Sequence, residues 1–436
     1  MQTESEEFIL ITGLYNFARN INHKRKELLW QQNGKRLSSV RRIERVHPIQ
    51  GKRIVAMTFD DGPCAKDFMG SGKGLTASIL DSLAAYGARA TFDIIGTTEG
   101  NYPDEAGEKG SSAFGGTKFD HYPCFGEDLL AGAKNQKELV QRMIDEGHEL
   151  ANHTWQHRIF GRKRMIYGNR VPLGSMDEVM QDLQALHTYI EHEFSYEIRL
   201  ARPPHYVDAV TGGGNTYDAY RRMGYQYLAA SFDGDGWRPG SSYEDEVDKM
   251  IAPMRKRLEE DPDSLNGQII FQKDGCNMNL RTPAVDALPM QLRLLAEYGY
   301  QVVTVSELLE QSPFLDLPPE SPAMPYVKEL LSRGHMVGYQ NNTFHGERAL
   351  TRKEALLMLA DGSTVRYGGE NLTAKAAAEY QLKAVTGNAL LDLAAAEGIE
   401  INEKGFKDKQ KVCREDAVQL IAGLVQKHED KERMLG

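Results

Sequence analysis

The chain has 436 residues, a formal net charge of −10, 41% hydrophobic residues and 26% charged residues. Such values describe a globular protein of two or three domains with a substantial core, and they exclude a chain that grips nucleic acid through overall positive charge. No run of about 18 apolar residues occurs, so no membrane span is expected.

Residues 1–48 are mostly polar, with basic clusters at His23–Lys26 and Arg41–Arg45, and read as a mainly helical extension whose basic groups face solvent. Phe8–Ile11 is apolar but short and follows Glu4, Glu6 and Glu7, so the start of the chain does not read as a signal peptide. From Arg53 to about Ser312, short apolar runs alternate with helical patterns. The expected strands are Ile54–Phe59, Ala90–Ile95, Glu149–Asn152, Ile198–Ala201, Gln226–Ser231, Gln268–Phe271 and Gln301–Val305. The expected helices are Leu75–Tyr86, Lys137–Glu146, Met176–Phe194, Asp218–Met223, Tyr243–Glu260 and Ala284–Tyr298. This alternation predicts β/α units around a mainly parallel sheet, either a barrel or an open doubly wound sheet.

Thr97 to Gln136 is long, polar and Gly-rich, and reads as an insertion over one rim. Pro313–Pro325 carries five prolines in thirteen residues and marks a domain edge. Beyond it the chain repeats itself: Tyr326–Gly334 leads to Leu350–Ala355, and Leu390–Gly398 leads to Val412–Ala417. The domains expected are therefore 1–48, 49–312 and 313–436, the last small and all-α. Cys64, Cys124, Cys276 and Cys413 form no C-x-x-C pair and are expected as free thiols.

The chemistry concentrates in short stretches. Thr58-Phe59-Asp60-Asp61-Gly62-Pro63 directly follows an apolar strand. Adjacent carboxylates at a strand end raise one another's pKa, a penalty that a nearby cation relieves. Asp-Gly-Pro is also good turn chemistry. His153 and His157 are four residues apart in Gly147-His148-Glu149-Leu150-Ala151-Asn152-His153-Thr154-Trp155-Gln156-His157, a spacing that would share one face of a helical turn. With Asp61 they would make a two-imidazole, one-carboxylate set with open positions, the layout of a catalytic zinc site.

These two stretches resemble the first two motifs of the NodB-homology polysaccharide deacetylases, carbohydrate esterase family 4, and the resemblance runs in motif order over roughly residues 52–312. It implies a distorted seven-stranded β/α barrel, with Asp60 as catalytic base and Asp61, His153 and His157 as ligands of a divalent metal. Zinc is the first choice, with cobalt and nickel as alternatives. Arg202-Pro203-Pro204 resembles the third motif: Arg202 would orient Asp60, and a backbone N–H near Pro204–Tyr206 would hold the oxyanion. His205-Tyr206 stand where the family continues with an aromatic residue and Gly.

Asp233-Gly234-Asp235-Gly236-Trp237 departs from the family's Asp-x-x-Asp-Trp, and Lys273 stands where the family has a general-acid histidine. Catalytic roles are expected for Asp60, Arg202, Lys273 and Asp233, and substrate contacts for Pro204, Tyr206 and Trp237.

The implied reaction is removal of acetyl groups from an N-acetylhexosamine-containing cell-wall or exopolysaccharide, with water activated by the metal and Asp60. The altered acid leaves two alternatives: an O-acetyl esterase, or a weakly active or inactive metal-retaining wall-binding protein. Phe314-Leu315-Asp316-Leu317, Gly334, Gly338-Tyr339, Asn342, Phe344 and Thr351-Arg352-Lys353-Glu354 resemble an S-layer homology module, with a degenerate second copy near Arg414-Glu415. That resemblance implies binding to cell-wall polysaccharide and an extracellular or wall-associated protein.

Overall fold

The computed structural model describes residues 28, 31–32, 34–67, 72–98, 130–161, 172–277, 281–336, 338–350 and 411–435. Its strands are β1 (Leu37–Ser38), β2 (Arg42–Ile43), β3 (Arg53–Asp60), β4 (Thr91–Ile94), β5 (Glu149–Asn152), β6 (Leu200–Ala201), β7 (Gln226–Leu228), β8 (Phe232–Asp233), β9 (Ile269–Lys273), β10 (Tyr300–Val303) and β11 (Gly338–Tyr339). The helices are α1 (Leu75–Ala85), α2 (Lys137–Asp145), α3 (Met176–Phe194), α4 (Thr216–Met223), α5 (Tyr243–Glu260), α6 (Ala284–Glu297), α7 (Val305–Gln311), α8 (Met324–Ser332) and α9 (Arg414–Leu435).

Nine strands form one sheet in the order β2-β7-β6-β5-β4-β3-β9-β8, with β10 beside β3. All its pairings are parallel. The sheet curls. Arg45, just past β2, bridges Gln268, just before β9, and Val46 N donates to Gly267 O at 2.8 Å. The β2 end of the strand order therefore meets the start of β9, next to the other end, consistent with the expected distorted barrel. All seven expected strands are present as β3, β4, β5, β6, β7, β9 and β10. The additions, β2 and β8, are two residues long, too short to carry a hydrophobic period.

β3 is the hub. Seven of its eight residues are buried, as in a strand covered on both faces. Helices pack outside it for legible reasons. In α3, Ser175 caps the first turn by accepting from Glu178 N, and Val179, Leu183, Leu186 and Ile190 recur at helical spacing on the buried side. In α4 a reciprocal Asn215–Asp218 capping box opens the helix, and Gly224 at φ 74° closes it.

Most of the expected helical extension at 1–48 lies outside the described residues. Within 34–48 the chain forms β1 and β2 instead of helix. Val40, Ile43 and Val46 are buried, so this stretch is a strap against the barrel. The solvent-facing expectation for Arg41–Arg45 needs correction at Arg41, which is buried and donates to Pro313 O (2.6 Å) and Asn342 Oδ1 (2.9 Å). β1 pairs antiparallel with β11, so the same strap reaches the C-terminal region.

That region has its own apolar core, where Phe314, Leu317, Val327, Leu330 and Phe344 pack with Val412, Ala417, Leu420 and Ile421. The second repeat lies outside the described residues except from 411 onward, and so does 99–129 of the expected insertion. Cys64 and Cys276 are buried and Cys413 is half-buried, and Cys124 lies outside the described residues. No helix among the described residues is long and apolar enough to cross a membrane.

Candidate active site

Strand register assembles the site. Asp60 closes β3 and lies opposite Asp93 on β4 and Lys273 on β9. Next to it the backbone turns sharply. Asp61 sits at φ 80°, and its N–H donates to Asp93 O at 3.2 Å. Gly62 follows where a side chain has no room: an added Cβ would lie 1.9 Å from Asp274 Oδ2.

β5 delivers the histidines. His153 N donates to Ile94 O at 2.9 Å, fixing the loop that leaves the strand. The two imidazoles do not share a helical turn, which corrects the geometry expected from their spacing. Residues 153–157 form a loop in which Thr154 (φ 79°) and His157 (φ 53°) are left-handed, and this fold-back brings the rings together. Asn152 Oδ1 accepts from Thr154 N at 2.8 Å, and Asp182 Oδ1 accepts from Trp155 N at 2.8 Å. Buried polar side chains thus hold the strained turn in place.

Asp61 Oδ1 lies 3.3 Å from His153 Nε2 and 3.1 Å from His157 Nε2. One ligand atom from each of the three residues falls within 4.8 Å of the others, and all three are buried. His153 Nδ1 lies 2.8 Å from the Arg202 carbonyl oxygen. That bond places the proton on Nδ1 and leaves Nε2 as a lone pair aimed at a carboxylate oxygen. Two electron-rich atoms so close need a proton or a cation between them, so the cluster is a potential metal site. Burial lowers the His157 imidazole to about 4, which favours the neutral, ligating form. For His153, burial is outweighed by Asp60, Asp61 and Asp93, which raise it.

Asp60 is held from the other side. Arg202 is fully buried and contacts Asp60 Oδ1 directly, with Asp93 Oδ2 at 3.0 Å from the same Nη1. Its Nη2 donates to Thr58 Oγ1 (3.1 Å) and Ala229 O (3.2 Å), and its Nε to Leu228 O (3.4 Å). Burial lowers the guanidinium's pKa, but the two carboxylates prevail and raise it above its ordinary value. Burial pushes Asp93 well above the usual carboxylate range, with Arg202 opposing. Asp60 Oδ2 lies 3.8 Å from His153 Nε2, so the carboxylate bridges the arginine and the imidazole pair.

Lys273 contacts Asp61 Oδ2, the oxygen away from the imidazoles. His205 and Tyr206 are both left-handed (φ 55° and 54°). The His205 ring meets His157 edge-on at 5.1 Å, while the Tyr206 ring lies 5.5 Å from the Arg202 guanidinium. Tyr206 N and Val207 N donate to Pro203 O and Pro204 O. Pro204 is buried in this turn. Asp233 is exposed, and its carboxylate accepts from Trp237 Nε1 (3.1 Å) and Asp235 N (2.9 Å).

The structure therefore gathers Asp60, Asp61, His153, His157, Arg202 and Lys273, and couples Asp233 to Trp237. Sequence reading passed over Asp93 and Asp274. Their signal was present: Asp93 interrupts the apolar strand after Thr91-Phe92, and Asp274 follows Lys273. Asp274 is buried, accepts from Thr76 Oγ1 at 2.7 Å, and is raised to about 7 by burial. A separate open groove of about 760 Å³ runs along α3 between Trp155 and His192, and the acid–imidazole cluster is not part of its lining.

Residues 48–228 match the polysaccharide deacetylase family and residues 313–356 the S-layer homology domain. Peptidoglycan-N-acetylmuramic acid deacetylase PdaC of Bacillus subtilis is 25% identical over 288 residues, covering 66% of this chain and 45% of that protein. Peptidoglycan-N-acetylglucosamine deacetylase of Bacillus cereus is 28% identical over 266 residues, covering 59% of this chain and 89% of that one. The solved structure of the Bacillus subtilis PdaC deacetylase aligns at 23% identity and a TM-score of 0.39, covering 60% of this chain and 91% of that one. The chain spans less than half the length of the first of these relatives.

Proposed function

We propose, from the match of residues 48–228 to the polysaccharide deacetylase family and of residues 313–356 to the S-layer homology domain, that the chain hydrolyses acetyl groups from a polysaccharide containing N-acetylhexosamines, at the cell wall or in an exopolysaccharide. The observation that carries this reading is the buried Asp61, His153 and His157 cluster adjoining the Asp60–Arg202 pair. Asp61, His153 and His157 would hold a divalent cation, zinc before cobalt or nickel. When bound, the cation supplies a Lewis acid that polarises the acetyl carbonyl and acidifies water.

The chain's own groups do the rest. Asp60 takes the proton of the attacking water, kept in position by Arg202. A backbone N–H in the turn near Pro204–Tyr206 is the oxyanion donor of this reading. Arg202, packed beneath Tyr206, keeps that turn in place. Trp237, fixed by Asp233, offers an aromatic face to a sugar.

The contact between Lys273 and Asp61 favours a second reading, an O-acetyl esterase. An ammonium held by a carboxylate is a reluctant proton donor. An amide nitrogen needs that proton to leave more than an alkoxide does.

The S-layer homology domain supports a cell-surface location and attachment to wall polysaccharide. The test is acetate release from N-acetylated and O-acetylated oligosaccharides by the zinc-loaded chain, with and without chelator. Asp60→Asn should lower release by about 10²–10⁴-fold. Unchanged release in that variant would refute the assignment of the base.

A further inference from the structure

Asp61 divides its two oxygens between different partners. Oδ1 faces both imidazoles, at 3.3 and 3.1 Å. Oδ2 is in contact with the Lys273 ammonium, whose side chain is only 12% exposed. Lys273 arrives from β9, where strand register sets it opposite Asp60. The ligand carboxylate thus already has the Lys273 amino group on one oxygen.

Two consequences oppose each other. A hydrogen bond on the far oxygen orients a ligand, which strengthens metal binding. A positive charge beside the site repels a second cation, which weakens it, and poorly screened burial amplifies the repulsion. The first effect is small here, because Asp61 is positioned by other means. Its N–H is bonded to Asp93 O and its side chain is 4% exposed. The charge effect is left as the net.

Resting on the reading of Asp61, His153 and His157 as a cation site, we propose that Lys273 is a resident counter-ion of the metal-ligand carboxylate, confining Asp61 to one cation-facing oxygen and loosening the hold of the centre on a divalent metal. The chain then remains folded and charge-balanced without metal and takes up a cation reversibly.

The test is the zinc affinity of the full chain, measured by competition with a chromophoric chelator. Lys273→Met keeps the stem and removes the charge, and should bind zinc about tenfold tighter or more. Lys273→Arg keeps the charge and should stay within about threefold of the parent. Lys273→Gln keeps a hydrogen-bond donor without charge and should follow Met, which covers the case in which Lys273→Met fails to fold. The metal-free melting temperature should fall in Met, where Asp61 loses its partner, and the gain in melting temperature on adding zinc should be larger than in the parent. Equal or weaker zinc affinity in the neutral variants overturns the counter-ion role while leaving the cation site standing. Parent and variants that all bind no more zinc than Asp61→Ala overturn both.

Discussion

The strand-end floor of the barrel and the seam between barrel and C-terminal helices both bury arginine, yet they surround it differently. On the floor, Arg202 meets two carboxylates, Asp60 and Asp93, with the Asp61 and Lys273 pair close by. In the seam, Arg41 donates to a carbonyl and an amide oxygen and lies 4.6 Å over Phe314. Neutral acceptors and aromatic faces satisfy a guanidinium without adding charge, and they serve to hold two regions together. Stacked anions and cations in a dry pocket leave charge available for chemistry, and each member depends on its partner.

The largest break in this contrast is Arg202→Met. It leaves Asp60 and Asp93 without their cation, and stability should fall by about 3–5 kcal/mol. Urea denaturation measures this; a loss under about 1 kcal/mol would show that the floor tolerates unpaired charge.

Asp274→Asn tests the same pocket with the opposite sign. Burial raises Asp274 from 3.8 to about 7. Its neutral form is the one the fold prefers, so its contribution is complete below about pH 4 and is lost as pH rises through 7. With chelator present, the Asn variant should match the parent near pH 4. At pH 8 it should exceed the parent by a few kcal/mol, on the scale of about 1.4 kcal/mol per pKa unit. Parallel denaturation curves at both pH values would contradict the burial argument.

Arg41→Met should lower stability by about 1–3 kcal/mol, because Pro313 O and Asn342 Oδ1 lose a buried donor. Zinc affinity should not move; if it did, the seam and the floor would be coupled. The smallest effect sets the baseline: Asn215→Ala removes half a capping box of α4, away from both regions, and should shift stability by about 1 kcal/mol by thermal melt.

Much of this was legible one-dimensionally. Helical patterning located α3 and α5 to the residue, because these helices are long. The Asp60-Asp61-Gly62 step and the His153 and His157 spacing pointed to the potential metal site, because each lies within one short stretch following a strand. The same spacing misled about backbone shape: four residues also fit a left-handed loop, and only the φ angles of Thr154 and His157 tell the two apart.

By itself, then, the amino-acid order determined the parallel β/α architecture, the resemblance to two domain families and the residue types of the acid–imidazole cluster. Tertiary structure alone decided who pairs with whom. Asp60 and Arg202 are 142 positions apart and Thr76 and Asp274 are 198, and they meet only through sheet order and register. Whether Lys273 faces a carboxylate or solvent, and whether Asp93 is a core intruder or the second carboxyl group on Arg202, follows from which strands lie side by side. Local pattern carries side-chain chemistry and periodicity, but not the long-range neighbours that burial then makes costly to lose.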